Sequence, residues 1–354
     1  MCARPREDFI HCTQKILTSP TANERRPLHR IMITMDTTTD GEAIRNGPLS
    51  IMRLISTNAR ERLYVHPVLW TSRHLALLGW EFVDDGFIDV ASLPQQSDPP
   101  KEELFDDNWG LFSARRFAAD TEPSRKMGSL SGLLKGLGVQ DRGFNLDFHF
   151  NGKVVATLAY SALFKLDPKL LPRPLPPARI AYIHQLDICR WRKCKLISRK
   201  LWVWTDDVSI RRHTTPLVEK RYRSLRPANS REDPYIAAVL VGLAQAQRLD
   251  PVDGDAAPEN SDKTSPSRIT SSPRVQTVLL SHPADKGRLH VFTSRISHEL
   301  LDRFDFPSRP PPADAQSRQG MTISHRRLAL KPIKTLQRRL GLFLRHVASQ
   351  GTEA

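Results

Sequence analysis

Cysteine is scarce in this 354-residue chain, which contains only Cys2, Cys12, Cys189 and Cys194. So few, so unevenly spaced, cannot staple a chain of this length into a disulfide framework, which points to a reducing compartment, cytoplasmic or nuclear. Aromatic residues make up only 7% of the chain, and 27 prolines outnumber 17 glycines. That balance leaves part of the chain short of apolar mass and therefore extended or disordered. Long apolar runs are also missing. The longest, YIAAVLVGLA at 235–244, is about half of the ~20 residues a membrane-spanning helix needs, so it reads as a core helix. The N-terminus, MCARPREDFIHC, has no apolar segment and carries Glu7 and Asp8, so it does not read as a secretory or organellar signal.

Positive charge, in contrast, is abundant. Lys and Arg total 53 against 38 Asp and Glu, a net charge of +15 with neutral histidine. This excess favours polyanionic partners and raises on-rates toward them, but says nothing about the fold. The length allows two domains, or one with appendages.

Residues 1–60 hold no sustained period and read as a poorly ordered arm. Residues 61–178 form an irregular α+β region. Within 70–90 the sequence predicts a short helix followed by strands, with Trp80, Phe82 and Phe87 as anchors. The acidic stretch from Ser92, broken by Pro94, Pro99 and Pro100, reads as a loop. In FNLDFHFNGKVVATLAY, Phe144, Leu146, Phe148 and Phe150 alternate with polar residues up to Asn151 and Gly152. Asn-Gly supplies the positive φ angles of a two-residue type I′ turn, so a hairpin is predicted over 144–159. The five prolines of LDPKLLPRPLPPAR lack a backbone donor and make it a stiff connector.

Residues 179–349 read as a C-terminal α+β domain. A strand is expected over 200–205. A helix starts at the N-cap Asp233 with Pro234 in its first position and runs to Leu249. Being apolar all round over three turns, it must be enclosed by other elements and should organise the core. Residues 250–274 form a polar, disordered insertion. Beyond it lie a hairpin (VQTVLL with RLHVFT), a short helix capped by Ser297, a strand around 321–330 and a terminal amphipathic helix after Pro332. In that last helix Ile333, Leu336, Leu340, Phe343, Leu344 and Val347 share one face. The fold class is thus α+β, with mixed helices and antiparallel hairpins around one buried helix.

The combination of DPYIAAVLVGLAQAQR, the VQTVLL and RLHVFTSRIS hairpin, LLDRFDFPS and the closing ISHRRLALKPIKTLQRRL resembles a group of uncharacterised proteins from filamentous fungi, over the last third of the chain. The resemblance implies a fungal source and a soluble setting, and it carries no catalytic residue with it. It also implies that the arm outside the match is variable.

Several patterns bear on chemistry. His184, Cys189 and Cys194, with His213 further on, are zinc-ligand types, but their spacing is wider than paired zinc ligands use, and no metal or cofactor is expected. Arg190, Arg192, Lys193, Lys195, Arg199 and Lys200 crowd one segment interleaved with Trp191, Trp202 and Trp204. Such cations neutralise phosphates and such aromatics stack on bases; the alternatives are a solvated face or a nuclear-import signal. MGSLSGLLKGLGVQ (127–140) has glycines and Lys135 but not the order of a phosphate loop, and reads as a mobile loop with an amphipathic turn. Asp206, Asp207, Glu219 and Lys220 superficially suggest a metal-dependent nuclease, at poor spacing. PLPPAR, at 174–179, fits the P-x-x-P-x-R pattern of an SH3 ligand. The terminal basic amphipathic helix suits an anionic membrane or, in the favoured reading, its own sheet.

The sequence therefore leads to an intracellular, non-enzymatic protein that engages an acidic partner, nucleic acid among the candidates, through the basic region. Two alternatives stay open. One is an enzyme or biosynthetic accessory factor whose active site is assembled from scattered residues. The other is a scaffold recruited through PLPPAR.

Overall fold

The computed structural model describes residues 49–61, 63–89, 107–143, 146–158, 162–166, 179–197, 208–249, 274–282, 287–311 and 320–350. The expected arm before residue 49, most of the Pro-rich connector, the 200–205 strand and residues 250–273 of the polar insertion lie outside the described residues; Arg274, its expected end, opens a strand. Gly47–Ala354 forms one compact unit.

The strands are β1 (Trp80–Phe87), β2 (Val139–Gly143), β3 (Leu146–Phe150), β4 (Lys153–Leu158), β5 (Ala162–Leu166), β6 (Arg179–His184), β7 (Arg274–His282), β8 (Arg288–Ser297) and β9 (Met321–Ala329). The helices are α1 (Ile51–Thr57), α2 (Ser72–Leu78), α3 (Asp107–Ala119), α4 (Pro123–Lys135), α5 (Gln185–Leu196), α6 (Val208–Leu225), α7 (Pro234–Leu249), α8 (His298–Asp305) and α9 (Leu336–Gln350). Seven strands make one mixed sheet in the order β1-β9-β8-β7-β6-β5-β2, while β3 and β4 pair separately. β1 runs parallel to β9 and β6 parallel to β7; the other neighbours are antiparallel. The border drawn from sequence at residue 179 therefore passes through the sheet, since β1, β2 and β5 precede it and the other four strands follow it.

Strand alternation divides the core in two. Ala181, Ile183, Leu279, Phe292 and Ile323 face α7, while Ile180, Tyr182, Val278, Leu280, Val291 and Leu328 face α3, α4 and α9. α7 answers the expectation from its composition. Asp233 Oδ1 accepts from the Tyr235 N–H at 3.0 Å, capping the helix, and every residue from 234 to 245 is buried. Each Val, Leu or Ile side chain among them contributes about 1.5–3 kcal/mol on burial. The helix lies between the sheet and the β3–β4 hairpin. Gly242 permits that approach, because a Cβ there would come 3.0 Å from Leu146 Cδ2 and 3.2 Å from Leu158 Cδ1. The hairpin has the expected turn, with φ of 54° at Asn151 and 67° at Gly152. Ser297 caps α8 by accepting from the Leu300 N–H at 3.2 Å, and α9 buries Leu336, Leu340, Phe343, Leu344 and Val347 against the sheet.

Three expectations are corrected. Residues 51–57, assigned to the arm, form α1, whose Ile51 is buried in the core. The glycine-bearing 127–140 stretch is no mobile loop: its first part is the C-terminal two-thirds of α4, and its end is in β2. Residues 107–119, placed partly in the acidic loop, form α3. Among the described residues, no helix is long and apolar enough to cross a membrane.

Candidate functional site

α5 and α6 carry the basic region. Between them they hold nine Lys or Arg and two acids, Asp187 and Glu219. Both helices turn one side to the core, where Ile188, Leu196, Val218, Tyr222 and Leu225 are buried. That leaves Arg190, Lys193, Lys220, Arg221 and Arg223 exposed on the other, with Arg226 exposed just past the end of α6. The two acids are each spoken for, since Asp187 lies 3.7 Å from Arg190 and Glu219 lies 3.5 Å from Arg223. Lys193, Lys220, Arg221 and Arg226 have no carboxylate partner among the described residues. Lys193 Nζ sits 4.7 Å from the centre of the Tyr222 ring, Arg226 6.0 Å from the same ring, and Lys195 Nζ 4.6 Å from Trp191. These contacts hold the cations at ~0.5–1 kcal/mol each, and a ring face leaves the charge of Lys193 and Arg226 unneutralised.

Of the six phosphate-binding candidates from sequence, Arg190 and Lys193 lie on this exposed face, while Lys195 is half-buried and turned toward the Ile188 side of the helix. Arg199 and Lys200 lie outside the described residues. Arg192 must be removed from the set. It is 1% exposed, donates through Nη1 and Nη2 to the Asp233 carboxylate at 3.0 and 2.7 Å, and donates through Nε to the Val68 carbonyl at 2.8 Å. A guanidinium so enclosed and paired with a carboxylate is out of reach of a phosphate; it ties α5 to the start of α7 and to the turn at Pro67–Leu69.

His184, Cys189 and Cys194 are not gathered, and the side chain of His213 lies outside the described residues. His184 Nδ1 accepts from the Leu186 N–H at 3.2 Å as the cap of α5, Cys189 turns toward Tyr222, and Cys194 lies roughly 140° further round the helix. Among the described residues, no group of three such side chains could hold a metal ion. Glu219 of the supposed nuclease set pairs with Arg223, and Asp206 and Asp207 lie outside the described residues. Of PLPPAR only Arg179 is described, as the first residue of β6, opposite Lys165.

Sequence reasoning missed a second cluster. The parallel strands β6 and β7 end side by side at His184 and His282, whose rings stack with centres 5.6 Å apart. Lys126 of α4 donates to the Phe117 carbonyl at 2.8 Å, and its Nζ lies 3.2 Å from His282 Nε2. Burial holds His184 down to about 4, and pushes the Asp187 carboxyl up to about 6 and the Tyr182 phenol far above its usual range. The carboxyl ends of parallel strands are where open α/β sheets bind ligands. Yet Tyr182, His184 and His282 are each 2% exposed and Lys126 is 4%, so nothing from solvent reaches them, and the cluster fastens α4 to the sheet. Its only sequence signal is a histidine closing each apolar run, in RIAYIH and VLLSH.

A third group lies on the opposite sheet face. His325 Nε2 is 3.1 Å from His290 Nδ1, and its other nitrogen is 3.8 Å from Asp84, which also accepts from Arg327 at 3.2 Å. At 3.8 Å the carboxylate makes no hydrogen bond to the imidazole, so the pair is not held as one that serves a nucleophile is. The Ser324 hydroxyl, on the other face of β9, is spent on Asp85. In the third group the exposed Asp84 carboxylate is paired with Arg327; of the three groups, the α5–α6 face is the one with exposed cations that have no carboxylate beside them among the described residues. Compared with known proteins, the chain matches no family, no curated protein and no solved structure.

Proposed function

We propose that this protein binds a polyanion, nucleic acid foremost, through the α5–α6 face, as a non-enzymatic partner in the nucleus or cytoplasm. The observation that supports this most is the set of four exposed cations, Lys193 on α5, Lys220 and Arg221 on α6 and Arg226 just past its end, with no carboxylate beside them among the described residues. Cations held apart from acids keep a positive potential that phosphates neutralise on contact, releasing the counterions condensed on the nucleic acid. Neither helix brings a base-reading signature, so the contact is to the backbone and independent of sequence.

Fluorescence anisotropy with a labelled mixed-sequence duplex, repeated across salt, tests the reading. Four phosphate contacts correspond to a log–log slope of about −3.6, a roughly hundredfold loss of affinity between about 50 and 200 mM salt. An affinity that does not respond to salt, or no saturable binding at about 50 mM, refutes it.

A further inference from the structure

The outward side of α3 is the reverse of an ordinary amphipathic face, which is polar toward water. Its buried side is mostly small, with Gly110, Ser113 and Ala114 beside Phe117. Its large aromatics instead point out: Trp109 is 55% and Phe112 48% exposed. Helical spacing sets Trp109, Phe112, Arg115 and Arg116, all exposed, within about a third of a turn. Two adjoining rings left in water gain free energy from any apolar layer that covers them, and such patches mark interaction surfaces.

The rings are bordered by positive charge. Leu111 and Arg115 of α3 form one open groove with Lys331, Pro332, Ile333 and Lys334, and Arg338 follows in the first turn of α9. Arg115, Lys331, Lys334 and Arg338 are exposed and have no carboxylate beside them among the described residues. Arg116, nearer the rings, has Asp120 at 3.9 Å. The geometry of the rings decides which polyanion fits. Trp109 lies against Phe112 with centres 5.6 Å apart and planes 32° apart, and the Arg116 guanidinium lies over the Phe112 ring at 5.7 Å. A base stacks on an open ring face, and here neighbours along the helix lie against Phe112. Exposed ring edges beside Lys and Arg suit a bilayer interface, where Trp settles at headgroup level and cations meet anionic lipid.

We propose that α3 and the 331–338 segment rest on an anionic phospholipid surface. Trp109 and Phe112 enter the headgroup layer, and Arg115, Lys331, Lys334 and Arg338 lie over the charged headgroups. This face belongs to the α3, α4 and α9 layer, across the sheet from the α5–α6 face, and needs nothing from it.

Co-sedimentation of the full chain with phosphatidylcholine vesicles, with and without about one-third phosphatidylserine, at about 0.15 M salt tests this. Saturable binding is expected only where phosphatidylserine is present. Trp109→Ala with Phe112→Ala leaves the charge unchanged and should weaken binding at least about tenfold. Arg115→Gln, Lys331→Gln, Lys334→Gln and Arg338→Gln together should weaken it at least about a hundredfold. Lys193→Gln, Lys220→Gln, Arg221→Gln and Arg226→Gln, which remove as much charge from the other layer, should change it by only a few-fold. The proposal is overturned if phosphatidylserine brings no binding, if the aromatic pair is removed without loss, or if the two charge variants weaken binding alike. It is also overturned if removing the rings lowers affinity for a single-stranded oligonucleotide as much as for vesicles, since the rings would then serve bases. A dimer that the aromatic variant dissociates would overturn it too, a second copy then being the occupant.

Discussion

Three buried titratable groups give the folded chain a definite response to acid. His74 and His184 are held near pH 4, against 6.5 when free, and Asp187 near 6, against 3.8. Between about pH 4 and 6.5 the unfolded chain takes up protons at both histidines that the folded chain refuses, so each adds stability as pH rises. Asp187 acts in the opposite sense: between 3.8 and 6 the folded chain keeps its proton while the unfolded chain releases it. The net gain is thus one proton up to about pH 6 and two above it, with burial of His325 adding in the same direction as the histidines. With partial exposure discounted, stability should rise on the order of 1 kcal/mol per pH unit. Urea unfolding at several pH values measures this. Asp187→Asn should steepen the rise and His184→Gln should flatten it; identical slopes in all three proteins would show that the enclosure of these groups is misjudged.

At the scale of elements, stability concentrates where α5, α7 and the Pro67–Leu69 turn meet at Arg192. Removing one partner of a buried ion pair leaves an uncompensated charge, so Arg192→Met should cost about 3–5 kcal/mol. Arg192→Met combined with Asp233→Ser, in which serine keeps the cap on α7, should recover most of that loss. The exposed Arg223 and Glu219 pair should be worth about 0–1 kcal/mol in the same denaturation assay. A double variant as unstable as the single one would mean that the packing around Arg192, rather than its charge, holds the junction.

The same junction shows what the sequence could disclose. α7 was legible because its residues are apolar on every side, and the hairpin because Asn151 and Gly152 demand one turn type. α3 was not: Trp109 and Phe112 face outward, at 55% and 48% exposure, while its buried side includes Ser113 and Ala114, which carry no periodic signal. The glycines of α4 misled for a related reason. Gly132 lies where a Cβ would come 2.6 Å from Ser113 Oγ, so glycine there serves close helix approach, not a loop. Arg192 was counted with its neighbours because Asp233, 41 residues on, is joined to it only by the fold. Helical spacing alone would have set Arg192 on the side of Ile188 and Leu196, away from Lys193.

For the whole molecule, the sheet separates two cationic surfaces. One is the α5–α6 face. The other, on the far layer, has Arg115 of α3, Lys331 and Lys334 before α9, and Arg338 within it, all exposed. A protein with a net charge of +15 attracts polyanions generally, so general attraction and a specific face must be told apart. Two charge reversals of equal size do so in the oligonucleotide assay. In one, Lys193, Lys220, Arg221 and Arg226 become Glu; in the other, Arg115, Lys331, Lys334 and Arg338 become Glu. The account predicts that the first lowers affinity by about a hundredfold or more and the second by only a few-fold, the residue of long-range charge screened beyond about 10 Å. Equal losses, or a larger loss from the second, would contradict it.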